Sequence, residues 1–185
     1  MIKRFPKKFF IDNIILKKVS IQNDEKILNE LLSLYKKNRK HLFYWHHRME
    51  QLLFENIDDI TDHIKKCQLI CYAIYNMNKI IGCIEINKLN KDEESKTYRT
   101  ISYWVDRDNA RKGIMYNCLK ILEKYFVSQG INILCADVNM ENIPSINLLE
   151  KSGFKKYKSR FIALKKGKAL CRIYSFQKII KRKIA

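Results

Sequence analysis

The chain has 185 residues, of which 30% are charged and 46% hydrophobic, and its net charge is +18. That is ordinary globular composition at a length that suits one domain over 1–185, and no apolar run reaches the roughly 18 residues that cross a bilayer. The basic front, MIKRFPKKFF, lacks a sustained apolar segment and a small-residue cleavage site, so a cytoplasmic protein with no membrane partner is expected.

The predicted elements alternate between strand and helix. Asn13–Val19 alternates as a first strand. Asn23 is placed to cap a helix with Asp24 and Glu25 in its first turn, and Ile27, Leu28, Leu31, Leu34 and Tyr35 recur at helical spacing. Asn38–His47 reads as an aromatic loop, and a second helix covers Ile57–Lys66. Leu69–Tyr75 and Lys79–Ile86 are strands joined by a short turn at Asn76–Asn78. After a polar loop over Asn87–Lys96, Tyr98–Val105 is a further strand. A helix over Gly113–Ser128 ends near Gly130, Ile133–Val138 is a strand, and a short helix runs from Pro144 to Gly153. Phe161–Leu164 and Arg172–Ile179 close the sheet through a Lys-Gly turn at Gly167. The whole reads as a mixed α/β chain with a meander of antiparallel strands in the middle.

Charge is uneven. Residues 151–185 hold thirteen Lys or Arg and no acid, which is thirteen of the eighteen excess charges. Such a face would weakly attract nucleic acid or ribosomes. Lysines outnumber arginines 28 to 9, however, which also fits a bias of genome composition. Six cysteines form no CxxC pair, and the four histidines complete no metal-ligand spacing, so reduced core thiols and no metal are expected.

Two loop–helix junctions carry the chemistry. Ala110-Arg111-Lys112-Gly113-Ile114-Met115 joins a basic pair to a glycine at a helix start, where free N–H groups and the dipole can receive phosphate, although by itself the pattern also reads as an ordinary helix entry. The string is neither a Walker A loop nor a dinucleotide fingerprint. The second junction places Asn142 and Ser145 three apart at a helix start, followed by Glu150-Lys151-Ser152-Gly153-Phe154. Capping alone accounts for Asn142. It does not account for the pairing of this string with the basic loop about thirty residues before it.

Together with Tyr103-Trp104, and with Asn38-Arg39, Leu42 and Trp45 in the N-terminal half, these junctions resemble the GNAT superfamily of acyl-CoA-dependent N-acyltransferases. The likeness is to the branch that acetylates N-terminal amines of ribosomal proteins, and it covers most of residues 10–180. The resemblance implies a GNAT-like α/β (α+β) fold, with a mostly antiparallel twisted sheet of about seven strands, about four helices, and a splayed strand pair holding acyl-CoA. It implies that the backbone of Arg111–Met115 binds the pyrophosphate and that Trp104-Val105 binds the pantetheine arm. It implies that Asn142 bonds that arm's amide and that Ser145 serves the departing sulfur. Two positions depart from the pattern: Ala110 stands where Gln or Arg is usual, and Leu149 stands where polyamine acetyltransferases carry a tyrosine acid.

The reaction implied is direct attack of a primary amine on acetyl-CoA, with no metal. Glu85 interrupts an apolar strand, so it either faces solvent or serves a cleft as the base; Glu55, Asp58, Asp59 and His63 are further acceptor-side residues. The preferred acceptor is a protein N-terminal α-amine. Small amines (polyamine, aminoglycoside or amino acid) are the alternative within the enzyme class, and an inactive basic RNA- or ribosome-binding module is the alternative outside it. The molecule is expected as a monomer or a homodimer.

Overall fold

The computed structural model describes residues 5–45, 54–91, 97–163 and 170–180. Its backbone is one continuous β-sheet with helices on both faces. The strands are β1 (Lys8–Ile11), β2 (Ile14–Lys18), β3 (Ile70–Asn76), β4 (Lys79–Ile86), β5 (Asn90–Lys91), β6 (Thr97–Val105), β7 (Ile133–Asn139), β8 (Lys155–Ala163) and β9 (Leu170–Ile179). The helices are α1 (Glu25–Trp45), α2 (Ile57–Lys66), α3 (Ile114–Ser128) and α4 (Ile143–Lys151). The sheet order is β1-β2-β3-β4-β6-β7-β9-β8, with β5 a short addition on β6. The sheet is thus mostly antiparallel, with nine strands against the seven expected. The extra pieces are β1, which folds back on β2, and the two-residue β5.

Several boundaries differ from the expectation for identifiable reasons. Asp24, not Asn23, opens α1: its carbonyl accepts from Leu28 N at 3.0 Å and its side chain accepts from Ser20 N at 2.8 Å. The stretch from Asn38 is helical to Trp45 rather than a loop. Aromatic residues are only mediocre helix formers, but Asn38 and Leu42 continue the buried stripe of Leu31 and Tyr35, and burial overrides propensity. The hairpin of β8 and β9 is longer than Phe161–Leu164 and Arg172–Ile179, while the turn expected at Gly167 lies outside the described residues, as do His46 and His47. The turn at Met77 and Asn78 has φ of 45° and 68°, as a tight two-residue hairpin requires. Among the described residues no helix is long and apolar enough to cross a membrane.

Two apolar layers sandwich the sheet. On one face α1 and α2 bury Leu28, Leu31, Ile60 and Ile64 against Cys71, Ala73 and Cys83. On the other, α3 and α4 bury Leu119, Leu122, Phe126 and Leu149 against Tyr72, Ile74, Ile84 and Ile86. Alternation along β6 divides its side chains between them: Trp104 packs with the α1–α2 layer, whereas Ile101, Tyr103 and Val105 pack with the α3–α4 layer.

The feature that positions the site is a wedge between β6 and β7. These two strands run parallel and pair over only three positions, Tyr98 with Ile133, Arg99 with Leu134, and Thr100 with Cys135. Beyond them each strand stays paired on its far side. Gly82–Ile86 of β4 pair with Ile101–Val105, and Ile173–Phe176 of β9 pair with Ala136–Asn139. The inner edges of Ile101–Val105 and Ala136–Asn139 therefore face a gap. Gly82 fits the crossing at its open end, because a Cβ there would lie 2.3 Å from the Trp104 carbonyl oxygen.

A buried polar clamp fixes the end of β6. Asp106 is 4% exposed and accepts from Asn38 Nδ2 at 2.9 Å, from Lys37 Nζ at 3.3 Å and from Asn109 Nδ2 at 3.3 Å. Asn38 Oδ1 accepts in turn from Arg107 N at 3.1 Å. Burial pushes the Asp106 carboxyl up, but the hydrogen bonds from Asn38 and Lys37 outweigh it and hold the group below its ordinary value. A depressed folded-state value stabilises the fold above the unfolded value of about 3.9, and that contribution is lost as pH falls through the lower folded value. Asp106→Asn should therefore lower unfolding free energy by about 1.5–3 kcal/mol at pH 7, with the deficit against wild type shrinking below about pH 4. Urea melts of both proteins from pH 7 to pH 3 check this, and a deficit independent of pH would contradict it.

Candidate active site

The first junction forms the mouth of the wedge. After β6 the chain makes one 3-10 turn over Arg107–Asn109, and Ala110 is extended. Arg111 and Gly113 then take φ of 62° and 74°. Gly113 caps α3 with no side chain, and a Cβ there would meet nothing within 4 Å, so its left-handed backbone rather than crowding favours glycine. The first α3 hydrogen bond runs from Asn117 N to Gly113 O at 3.1 Å. The N–H groups of Ile114, Met115 and Tyr116 consequently have no partner inside the helix and face the loop. Arg111, Lys112 and Gly113 are exposed, Ala110 is half-buried, and Ile114 and Met115 anchor the helix start in the core. The result is a basic, donor-rich cradle of the kind that receives phosphate.

The second junction stands across the wedge. Asn142 caps α4, its Oδ1 accepting from Ser145 N at 3.1 Å, and Pro144 sits in the first turn. With Oδ1 so used, the amide NH2 of Asn142 is the group left to donate. Ser145 is half-buried and its hydroxyl lies beside the Tyr103 phenol of β6. Burial pushes that phenol up to about 12, with the nearby Ser145 hydroxyl opposing the shift, so Tyr103 stays neutral at physiological pH. Leu149 is fully buried in the α3–α4 core and takes no part in the site.

Glu85 lies on the opposite face of the sheet. Cross-strand register sets it beside Ser102 and sets Cys83 beside Trp104. Its side chain is only one-quarter exposed. It lines a cleft of about 590 Å³, mouth included, walled by Leu31, Tyr35, Phe54, Ile60, Ile64 and Trp104. His63 of α2 reaches it, with Nε2 3.7 Å from Glu85 Oε2, and the His63 ring packs 5.6 Å from Phe54. Helix α2 holds that geometry through a reciprocal cap, Asn56 Oδ1 accepting from Asp59 N and Asp59 from Asn56 N. The remaining acceptor-side carboxylates are spent elsewhere: Asp59 in this cap and Glu55 in an ion pair with Arg39. Asp58 sits in the exposed first turn of α2 and does not line the cleft.

The wedge thus brings together most of the sequence-derived candidates. Trp104 and Val105 lie on one lip, Ala110–Met115 at the mouth, Asn142 and Ser145 behind the other lip, and Glu85 on the α1–α2 face. Sequence reasoning missed three pairings. Tyr103 was legible only as part of a motif, not as a neighbour of Ser145. His63 was one acceptor-side residue among several, and its pairing to Glu85 depends on how α2 docks. The clamp of Asn38 on Asp106 was detectable as a polar residue on the buried stripe of α1. Cys71 and Cys83 also line the cleft as free thiols with Sγ atoms 3.2 Å apart, and their mutual hydrogen bond and burial push the Cys83 thiol well up, which suits a structural thiol rather than a nucleophile. Among the described residues no three His, Cys, Asp or Glu side chains gather as a metal site.

Comparison with known proteins places this geometry. The model of the acetyltransferase (GNAT) family matches residues 27–154. The RimL ribosomal L7/L12 α-N-protein acetyltransferase in complex with coenzyme A superposes with a TM-score of 0.74 at 17% identity, covering 92% of this chain and 96% of that one. The microcin C7 self-immunity acetyltransferase MccE, in complex with acetyl-CoA and AMP, gives 0.75 at 20% identity over 92% and 94%. The ribosomal-protein-S5-alanine acetyltransferase from Vibrio fischeri gives 0.73 at 17% identity over 95% and 97%. No curated protein sequence matches significantly. Fold, family model and the wedge with its two flanking helix starts agree, and the chain belongs to the acetyltransferase (GNAT) family, the acetyl-CoA-dependent enzymes that its two loop–helix junctions resemble.

Proposed function

We propose that the chain moves an acetyl group from acetyl-CoA to a protein N-terminal α-amine by direct attack. The observation that carries this reading is the placement of Glu85 and Ser145 on opposite faces of the sheet, with the open wedge between them. A thioester lying in the wedge would have a carboxylate on its α1–α2 side and a hydroxyl on its α3–α4 side. The free edges of Ile101–Val105 and Ala136–Asn139 would pair with the amides of the pantetheine arm, and the Asn142 amide would donate to one of its carbonyls. The cradle at Arg111–Met115 would take the pyrophosphate.

The nucleotide end has its own support. Tyr116, one turn into α3, carries Lys120 Nζ 5.5 Å and Lys151 Nζ 5.3 Å from its ring centre. A ring between two ammonium groups suits adenine with a 3′-phosphate beside it.

In the reaction the amine nitrogen attacks the thioester carbon, forming C–N as C–S breaks. Glu85 accepts the amine proton, directly or through one water. Ser145, its backbone N–H held by Asn142, donates a hydrogen bond to the sulfur as it takes the C–S electron pair, and the thiolate then takes its proton from water relayed through that hydroxyl. A carboxylate is a weak base, adequate for an α-amine with pKa near 8 but poorly matched to a lysine amine near 10.4. The cleft is narrow and walled mostly by apolar side chains, which suits a chain end and not a folded surface. The ribosomal-protein acetyltransferases among the structural neighbours support the same acceptor class.

Acetyl-CoA turnover read as free thiol, across Ser- and Ala-starting peptides, polyamines and aminoglycosides, tests the acceptor. Peptides should dominate, with a rate that rises through about pH 8 as the α-amine loses its proton. A preference for polyamine or aminoglycoside would overturn the acceptor assignment. Glu85→Gln should cost about 100-fold in kcat, and Ser145→Ala should slow thiol release by at least about 10-fold, both leaving the Kd for acetyl-CoA near wild type by calorimetry. Unchanged kcat in Ser145→Ala would remove the serine from the mechanism. Lys151→Ala should abolish any preference for CoA over dephospho-CoA while leaving dephospho-CoA affinity unaltered.

A further inference from the structure

The outer hairpin carries a feature that acetyl transfer does not use. Register on β8 and β9 puts Phe161 beside Arg172, and Ser159 beside Tyr174. Arg172 and Tyr174 are two apart on β9, so all four share one face. Lys156 joins them from above, its Nζ 4.2 Å from the Tyr174 ring centre. The Arg172 guanidinium carbon lies 5.7 Å from the Tyr174 ring centre and 5.6 Å from that of Phe161. The order along the surface is cation, ring, cation, ring. Phe161 remains 62% exposed, so most of its ring is open beyond the guanidinium.

Protection of the sheet edge explains part of this. β8 is the outermost strand, and Lys155, Lys156 and Lys158 on it discourage pairing with another sheet. That account does not reach Arg172, which sits on the inner strand between two rings. Nor does it explain an exposed phenylalanine on an edge otherwise guarded by charge. Acids are few in the neighbourhood: residues 151–185 hold none, and of the carboxylates that reach β8 and β9 among the described residues, Asp137 and Glu123 are engaged by Arg160 and Lys178, while Glu141 acts on Cys171 beside Arg172.

We propose that this ladder is a docking surface for single-stranded RNA. Lys156 and Arg172 would meet phosphates, and a base would stack on the open Phe161 ring, with the Arg172 guanidinium on the other side of that ring. Single-stranded nucleic acid combines a line of phosphates with unpaired π-faces, whereas an acidic peptide offers the charge without the rings. The surface also leads to the site. Met140 N donates to Arg172 O at 3.0 Å, and Met140 belongs to the turn between β7 and α4 that presents Asn142. RNA held on the ladder would lie beside the wedge without filling it. The proposal is independent of the acetyl-transfer reading.

The test is fluorescence anisotropy of a labelled 12-nucleotide oligouridylate with the full chain at 50 and 200 mM KCl. Binding should weaken with salt, each contacting cation contributing about 0.7 to the log–log slope. Arg172→Gln should lower affinity and reduce the slope by about 0.7. Phe161→Ala should weaken binding by about 5- to 100-fold with the slope unchanged, and Phe161→Tyr should restore it. Lys26→Ala with Lys65→Ala, which removes charge on α1 and α2, should have little effect. Circular dichroism and acetyl-CoA binding verify that each variant folds. The proposal is overturned by absence of binding, by equal losses in the distant lysine variant, by retained affinity in Phe161→Ala, or by polyglutamate competing as well as RNA at equal charge.

Discussion

The rest of the molecule depends on the short parallel pairing of β6 with β7. Three residue pairs join them, and then each strand follows its own antiparallel partner, β6 with β4 and β7 with β9. Sheet twist separates strands that no longer share hydrogen bonds. The cost is two rows of backbone N–H and C=O groups without strand partners in the middle of a sheet, which folded proteins avoid unless something else satisfies them. A ligand with its own amides, running along the gap, answers that cost and acquires orientation in return.

Keeping the wedge open requires that the strand ends be fixed from outside. On the β6 side this falls to Asp106, Asn38 and Lys37, which tie the start of the loop before α3 to α1. On the β7 side the turn at 139–142 is closed by Asn142 N on Asn139 O and by Asn139 Oδ1 accepting from Glu141 N. The two clamps belong to different layers, since α1 covers one face and α4 the other. The sheet therefore separates the acidic, cleft-lining Glu85 from the neutral pair of Ser145 and Tyr103. Neither group raises the energetic cost of the other's charge state, which is what the proposed base and hydrogen-bond donor would need to serve one reaction.

Legibility in the sequence followed the range of the interactions involved. Elements set by local periodicity and punctuation were recovered closely. Helix α2 and strand β4 fall at the predicted residues, and Gly130 and Gly153 end their helices with φ of 73° and 85°. The aromatic stretch after Asn38 was misassigned because its helix is held by tertiary burial of Asn38 and Leu42, which local propensity does not encode. At the site, the two junctions were readable as strings, since each is a contiguous loop and helix start. The pairs that cross between elements were not. Ser145 with Tyr103, His63 with Glu85, and Asn38 with Asp106 each link segments more than twenty residues apart, and only the docking of α4, α2 and α1 on the sheet brings them together.

The excess positive charge takes a different meaning once it is placed on the fold. As composition it was a sum, open to explanation by lysine-rich coding. On the sheet it divides. Lys178 and Arg160 are consumed by Glu123 and Asp137, which pin β9 and β8 to α3 and β7. Lys151 stands over Tyr116 at the start of α3, the proposed nucleotide end of the wedge. Lys156 and Arg172 stand over rings on the outer hairpin face. A bias toward lysine codons supplies cations but has no means of setting them in register with aromatic faces. Nor does it account for an arginine, the rarer of the two cations here, at the position flanked by two rings. Arginine's planar, weakly hydrated guanidinium stacks where an ammonium does not. The part of the charge that composition leaves unexplained is therefore its geometry, and that geometry runs from the phosphate cradle around α4 to the outer hairpin.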